Sequence, residues 1–104
     1  MGSEIFAFSP AGKGTTVKLS VSATTSRVAL SSFGDGRNVR FFNRGTKLCY
    51  LKFGDSTVES TASAMPLPSG AIEIFEIGPE ITHVAAICDS TETATLYATS
   101  GKGV

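Results

Sequence analysis

The chain has 104 residues, nine basic and nine acidic groups, one His, two Cys and no Trp. That length fits one domain burying roughly two-thirds of its unfolded surface, enough for a core without metal or disulfide support. A hydrophobic share of 41% speaks against wholesale disorder, no apolar run nears the ~20 residues of a membrane span, and zero net charge speaks against a dedicated nucleic-acid binder.

Residues 1–14 come first. Ile5, Phe6 and Phe8 are apolar, and Ser9-Pro10-Ala11-Gly12-Lys13-Gly14 reads as a flexible tether, so this stretch is expected to be an extended arm. Glu4 and the missing basic n-region do not fit a secretory signal. One domain is expected over 15–100, and 101–104 ends a short loose tail that begins at Ser100.

Within the domain, period-2 alternation predicts strands. Thr15–Val21 puts Val17, Leu19 and Val21 on one face, and Arg27–Leu30 pairs Val28 with Leu30. Val39–Asn43 sets Val39 and Phe41 against Arg40 and Phe42. Leu48–Phe53 sets Cys49, Leu51 and Phe53 against Leu48, Tyr50 and Lys52. Glu59–Gly70 contains two prolines and reads as the longest loop, with room for a helical turn over Glu59–Ala64. Ala71–Ile77 groups Ile72 and Ile74 against Glu73 and Phe75. Val84–Cys88 is a continuous apolar run, and Thr93–Thr99 alternates Thr and Tyr97 with Ala94, Leu96 and Ala98. Asp89-Ser90-Thr91-Glu92 would close a hairpin between the last two. A rival helix over Glu80–Ser100 would gather Ile81, Val84, Ala85 and Cys88, but four Thr in its second half are poor helix formers. Turn residues at Gly34-Asp35-Gly36, Asn43-Arg44-Gly45 and Gly54-Asp55-Ser56 separate the segments. About seven or eight short strands, evenly punctuated, predict an all-β protein: an antiparallel sandwich or jelly-roll-like barrel.

Chemistry is sparse. No catalytic residue, cofactor site or metal site is expected. His83 is the only His and no nucleophile elbow accompanies it. Glu73 and Glu76 would face opposite sides of a strand. Cys49 and Cys88 lack metal-ligand spacing and read as buried thiols, with a disulfide between core strands left to geometry. Ala11-Gly12-Lys13-Gly14-Thr15-Thr16 lacks the Gly and the Ser/Thr that a phosphate loop requires.

The charges are unevenly spread. Residues 1–52 hold eight basic and two acidic groups, a balance of +6, and residues 53–104 hold one and seven, a balance of −6. Interleaved strands could neutralise this locally, or opposed patches could pair between subunits. A basic Arg37–Lys52 patch with Phe41, Phe42 and Tyr50 interleaved is the weaker nucleic-acid reading, since Phe41 lies on the core face.

From Asn43 onward the chain carries N-R-G-T-K-L-C-Y-L-K-F-G-D-S, A-M-P-L-P-S-G-A-I-E-I-F-E-I, H-V-A-A-I-C and A-T-L-Y-A-T-S-G-K-G. These stretches resemble small structural proteins from the virion modules of tailed phages and prophages. In that group a strand ends in a turn like Phe53-Gly54-Asp55, and a loop like Met65-Pro66-Leu67-Pro68 leads to a glycine like Gly70. A last hairpin then closes near a tail like Thr99–Gly101. The resemblance implies a β-sandwich without enzymatic activity, made in the bacterial host cytoplasm and carried on the capsid surface as a decoration (cement) protein. It implies a homo-oligomer, trimer before dimer, bound to the major capsid protein or another virion protein. A tail-fibre or other glycan-binding β module is the alternative. No membrane partner is expected. Phe6, Phe8, Arg37, Arg40, Arg44, Glu73 and Glu76 are the expected interface residues.

Overall fold

The structure is a computed structural model that describes residues 9–10, 16–30, 37–78 and 80–102. Those residues form nine strands and no helix: β1 (Ser9–Pro10), β2 (Thr16–Val21), β3 (Ser26–Ala29), β4 (Arg37–Asn43), β5 (Cys49–Gly54), β6 (Met65–Leu67), β7 (Ile72–Ile77), β8 (His83–Cys88) and β9 (Ala94–Lys102). The β-branched and alternating segments become strands because one side of each can be buried while the other faces water.

Two antiparallel sheets result. One has the order β2-β9-β4-β7, with β1 continuing the β2 edge alongside β9; the other has the order β3-β8-β5-β6. The pairings β2–β9, β3–β8, β4–β7 and β5–β6 nest inside one another. A single long hairpin, folded at β5–β6 and then rolled, produces that nesting. Rolling brings β9 onto β4 and β8 onto β5. Eight strands in two sheets with this order make a jelly roll, a sandwich closed by two Greek keys.

Leu19, Val21, Val39, Phe41, Cys49, Leu51, Leu67, Ile77, Val84, Ala86, Cys88, Leu96 and Ala98 fill the space between the sheets. Phe41, Phe53 and Phe75 form a triangle with ring centroids 5.5, 5.8 and 5.7 Å apart, tying both sheets together at one end. Their tilted and edge-on contacts are the geometry aromatic quadrupoles favour. Asn43 is fully buried, and its amide donates to the carbonyls of Lys47 and Leu67, each at 2.9 Å. Its oxygen accepts from the Gly45 N–H at 3.0 Å. Because Leu67 belongs to the opposite sheet, this one side chain couples the two layers.

Several expectations change. Met65–Leu67 is a strand, not loop, and it tolerates Pro66 because it is an edge. The Glu59–Ala64 stretch holds one turn, closed by the Ala64 N–H on the Thr61 carbonyl, rather than a helical turn. The Asp89–Glu92 turn forms, with the Glu92 N–H on the Asp89 carbonyl, but it joins strands of different sheets and closes no hairpin. The rival helix over 80–100 is replaced by β8 and β9. Ser9–Pro10 pair with Lys102 and Gly101, so the expected tether and loose tail each contribute to a sheet. Ser100 and Gly101 are buried there. On β7 the buried side carries Phe75 and Ile77, while Ile72 is 49% exposed, so of the two faces of this strand the Ile72/Ile74 one points outward. The Gly34–Gly36 turn lies outside the described residues.

Candidate interaction surface

The two outer faces of the sandwich differ. Residues 55–64 leave β5 and cross the outside of the β3-β8-β5-β6 sheet. An Asx turn starts the crossing: Asp55 Oδ1 accepts from the Thr57 N–H at 2.9 Å and from its hydroxyl at 2.6 Å. These bonds hold the Asp55 carboxyl below its usual pKa, with the Thr57 hydroxyl the largest cause. Further on, the Ser60 N–H donates to Thr25 Oγ1 and the Ser60 hydroxyl to the Tyr50 carbonyl, both at 2.8 Å. Val58 and Ser60 are buried, and so is Ala85 on the outward side of β8, although it is no member of the core between the sheets. Its own chain covers part of this sheet, around Ala85, while Arg27, Ala29, Lys52 and Pro66 on the same outward phase stay exposed.

The β2-β9-β4-β7 sheet has no such cover among the described residues. Register places Lys18, Tyr97, Phe42 and Ile72 in one row across its outer face, and Thr16, Thr99, Arg40 and Ile74 in the next. Phe42 and Tyr97 stack with centroids 6.4 Å apart and planes at 19°. Arg44 Nη1 donates to the Tyr97 hydroxyl at 3.3 Å, and Thr16 and Thr99 share a hydroxyl bond of 2.8 Å. Glu76 lies on the same side, opposite Asn38. The face is therefore an apolar belt of Tyr97, Phe42, Ile72 and Ile74 beside Lys18, Arg40 and Arg44.

Of the expected interface residues, Arg40, Arg44 and Glu76 come together on this face. Glu73 does not: it pairs with the buried Phe41 and so sits on the inward side of the edge strand, exposed at the rim. Arg37 opens β4, but its side chain, like Phe6 and Phe8, lies outside the description. Tyr97, Phe42 and Ile72 are not among the residues the sequence marks as interface. Their signal is an apolar or aromatic residue on the polar phase of a strand, and for Phe42 and Tyr97 it is legible in the alternation itself.

The charge split resolves in part locally, since Lys47 and Glu92 form an ion pair at 3.7 Å. Cys49 and Cys88 are free thiols, directly opposed on neighbouring strands. Burial, then the neighbouring Cys88, pushes the Cys49 thiol up to about 12; burial, then Glu92 and Asp89, raises that of Cys88. Burial and the raised pKa both disfavour the thiolate form of each. His83 Nδ1 bonds the hydroxyl of its neighbour Thr82 at 2.8 Å, and Asp55 Oδ1 is engaged with Thr57. Among the described residues no group of three His, Cys, Asp or Glu converges as metal ligands do. A cleft of about 590 Å³ at one end of the sandwich is lined by Ser20, Ser22, Thr46, Thr93 and Thr95 together with Val21, Gly45 and Ala94, with no charged or aromatic side chain among them. No protein-family model matches the chain, and no curated protein does.

Proposed function

We propose that this protein is a non-enzymatic virion structural protein of a tailed phage or prophage, a decoration protein that binds the capsid lattice as an oligomer and stabilises it. The observation that supports this reading is the asymmetry of the sandwich: one sheet partly covered by residues 55–64, the other presenting the belt of Tyr97, Phe42, Ile72 and Ile74 flanked by Lys18, Arg40 and Arg44. A patch of that composition, aromatic and arginine-bearing with apolar neighbours, is what protein–protein contacts select. The likeness of the segments from Asn43 onward to phage virion proteins supplies the class. Fold alone carries no function, since jelly rolls serve many. Repetition on a lattice turns modest single contacts into firm retention.

The test is co-sedimentation with empty capsids of the phage or prophage that encodes the protein. Saturable binding, a raised capsid melting temperature, and loss of both in Tyr97→Ala and in the Arg40→Glu/Arg44→Glu double variant are expected. Absence of binding by the wild type sinks the reading. A second reading, a glycan-binding module, would use the Phe42–Tyr97 pair as its platform, although stacking uses one face of each ring. Hits on a glycan array that vanish in Tyr97→Ala would favour it.

A further inference from the structure

The four sheet edges are not equally protected. β6 has three residues and contains Pro66. β3 has four, and Arg27 on it reaches the Val58 carbonyl of the covering segment at 3.5 Å. The β2 edge carries Lys18. β7 differs: six residues, no Pro, no Lys or Arg, and no partner on its outer side among the described residues. Exposed edges of that kind are templates for another strand unless charge, Pro or shortness blunts them. The only charges on β7 are two carboxylates, Glu73 turned inward at the rim and Glu76 on the outer face.

The segment that could fill such an edge belongs to the same sequence. Residues 1–8 read M-G-S-E-I-F-A-F and precede β1. Phe6 and Phe8 fall on one phase of an extended strand, Ile5 and Ala7 on the other. Both sides are apolar, as the β7 edge asks: Ile72 and Ile74 outside, the half-buried Phe75 inside. Eight extended residues reach roughly 26 Å, and pairing along a six-residue strand takes about 20 Å.

The same arithmetic decides whose β7 is filled. Ser9 and Pro10 sit on the far edge of this sheet, and Gly101, Asn38 and Glu76 lie in line between Pro10 and the β7 edge. Reaching a position beyond its own β7 would cross four strand spacings, about 19 Å, leaving roughly two residues for pairing. A neighbour whose β7 edge faces the β1/β2 edge is within reach of the whole segment.

We propose that the outer edge of β7 receives residues 1–8 of a second copy as an added strand, joining copies head to tail. Donor and acceptor lie on opposite edges of one sheet, so the contact is heterologous and closes only as a ring or runs on as a chain. The inference stands independently of whether the partner lattice is a capsid.

Two full-length variants test it: Phe6→Ser/Phe8→Ser, which spoils the donor, and Ile72→Lys/Ile74→Lys, which spoils the acceptor at outward positions. Light scattering should show an oligomer for the wild type and monomers for each variant, with unchanged circular dichroism. Mixing the variants should restore one contact and give a dimer containing one of each, because the lysine variant still offers its arm and the serine variant its edge. Amides of Ile72–Ile77 should exchange at least tenfold faster in either variant alone. A monomeric wild type, an oligomer that survives in the serine variant, or no dimer on mixing overturns the proposal. Capsid co-sedimentation separates the two ideas: self-association without capsid binding removes only the lattice reading, and capsid binding by a monomeric wild type removes only this one.

Discussion

Replacing Asn43 by Ala tests how the two sheets are held in register. Asn43 is 0% exposed, and its side chain makes three hydrogen bonds of 2.9–3.0 Å to Lys47, Leu67 and Gly45. Each bond contributes about 1 kcal/mol net, and each buried polar group left unpaired costs about 1–3 kcal/mol more. The Leu67 carbonyl is the group water reaches least, since Leu67 is only 1% exposed. The expected loss is about 3–5 kcal/mol, a large share of the 5–15 kcal/mol typical of a domain. Asn43→Asp should do comparable harm at neutral pH, because a carboxylate would then face two carbonyls it cannot donate to. Its deficit should shrink in acid, where the protonated carboxyl regains one donor. Urea unfolding of both variants, with exposed Thr46→Ala as control, measures this directly. A wild-type midpoint for Asn43→Ala at unchanged slope would refute the reasoning.

Gly45→Ala should lose about 1–3 kcal/mol in the same assay, because an added Cβ would sit 2.7 Å from both Ala94 Cα and Cβ across the sheet, where backbone has to move. Cys49 and Cys88 should resist a thiol reagent at pH 8 in the native protein and react stoichiometrically once urea is added; rapid native labelling would contradict their burial. The Asp55 carboxyl has its pKa lowered in the folded state, so its contribution to stability is present above the ordinary carboxylate pKa and fades as pH falls through the lowered value. Thr57→Val should raise the Asp55 pKa, read by NMR titration, and flatten the stability profile below about pH 4; an unmoved titration would assign the shift elsewhere.

Six of the nine strands are legible as alternation, because each presents one side to a common core and period 2 records that choice; β8 is legible as a continuous apolar run, with Val84, Ala85 and Ala86 all buried. The exceptions have physical causes. β6 hid behind Pro66, since a proline run signals loop unless the strand is an edge whose outward N–H is dispensable. β1 is two residues long and includes Pro10, so it has no period to read. On β7 apolar residues occupy both phases, Ile72 and Ile74 on one, Phe75 and Ile77 on the other; only packing against Phe41 and Phe53 selects the second. The Asp89–Glu92 turn is legible as local chemistry, yet turn residues say nothing about which sheet receives the next strand. Asn43 reads from sequence as a turn residue, and its bond to Leu67 depends on a partner 24 positions away. For the surface, Arg40 and Arg44 followed from charge, whereas Phe42 and Tyr97 emerged as neighbours only once β4 was known to lie beside β9.

The nested pairing also bears on the order in which the chain becomes stable. Each outer pair closes a longer loop than the pair inside it, from β5–β6 through β4–β7 and β3–β8 to β2–β9. Loop-closure entropy grows only with the logarithm of length, so once an inner pair has formed the next is a small step. Zipping from the inside outward is thus the route of least entropic resistance. Along it β9 is the keystone: it is flanked by β1 and β2 on one side and β4 on the other. A nascent chain that has emerged only as far as β8 leaves three of its earlier segments waiting, and gains its lasting resistance to proteases when the final nine-residue strand slides between them.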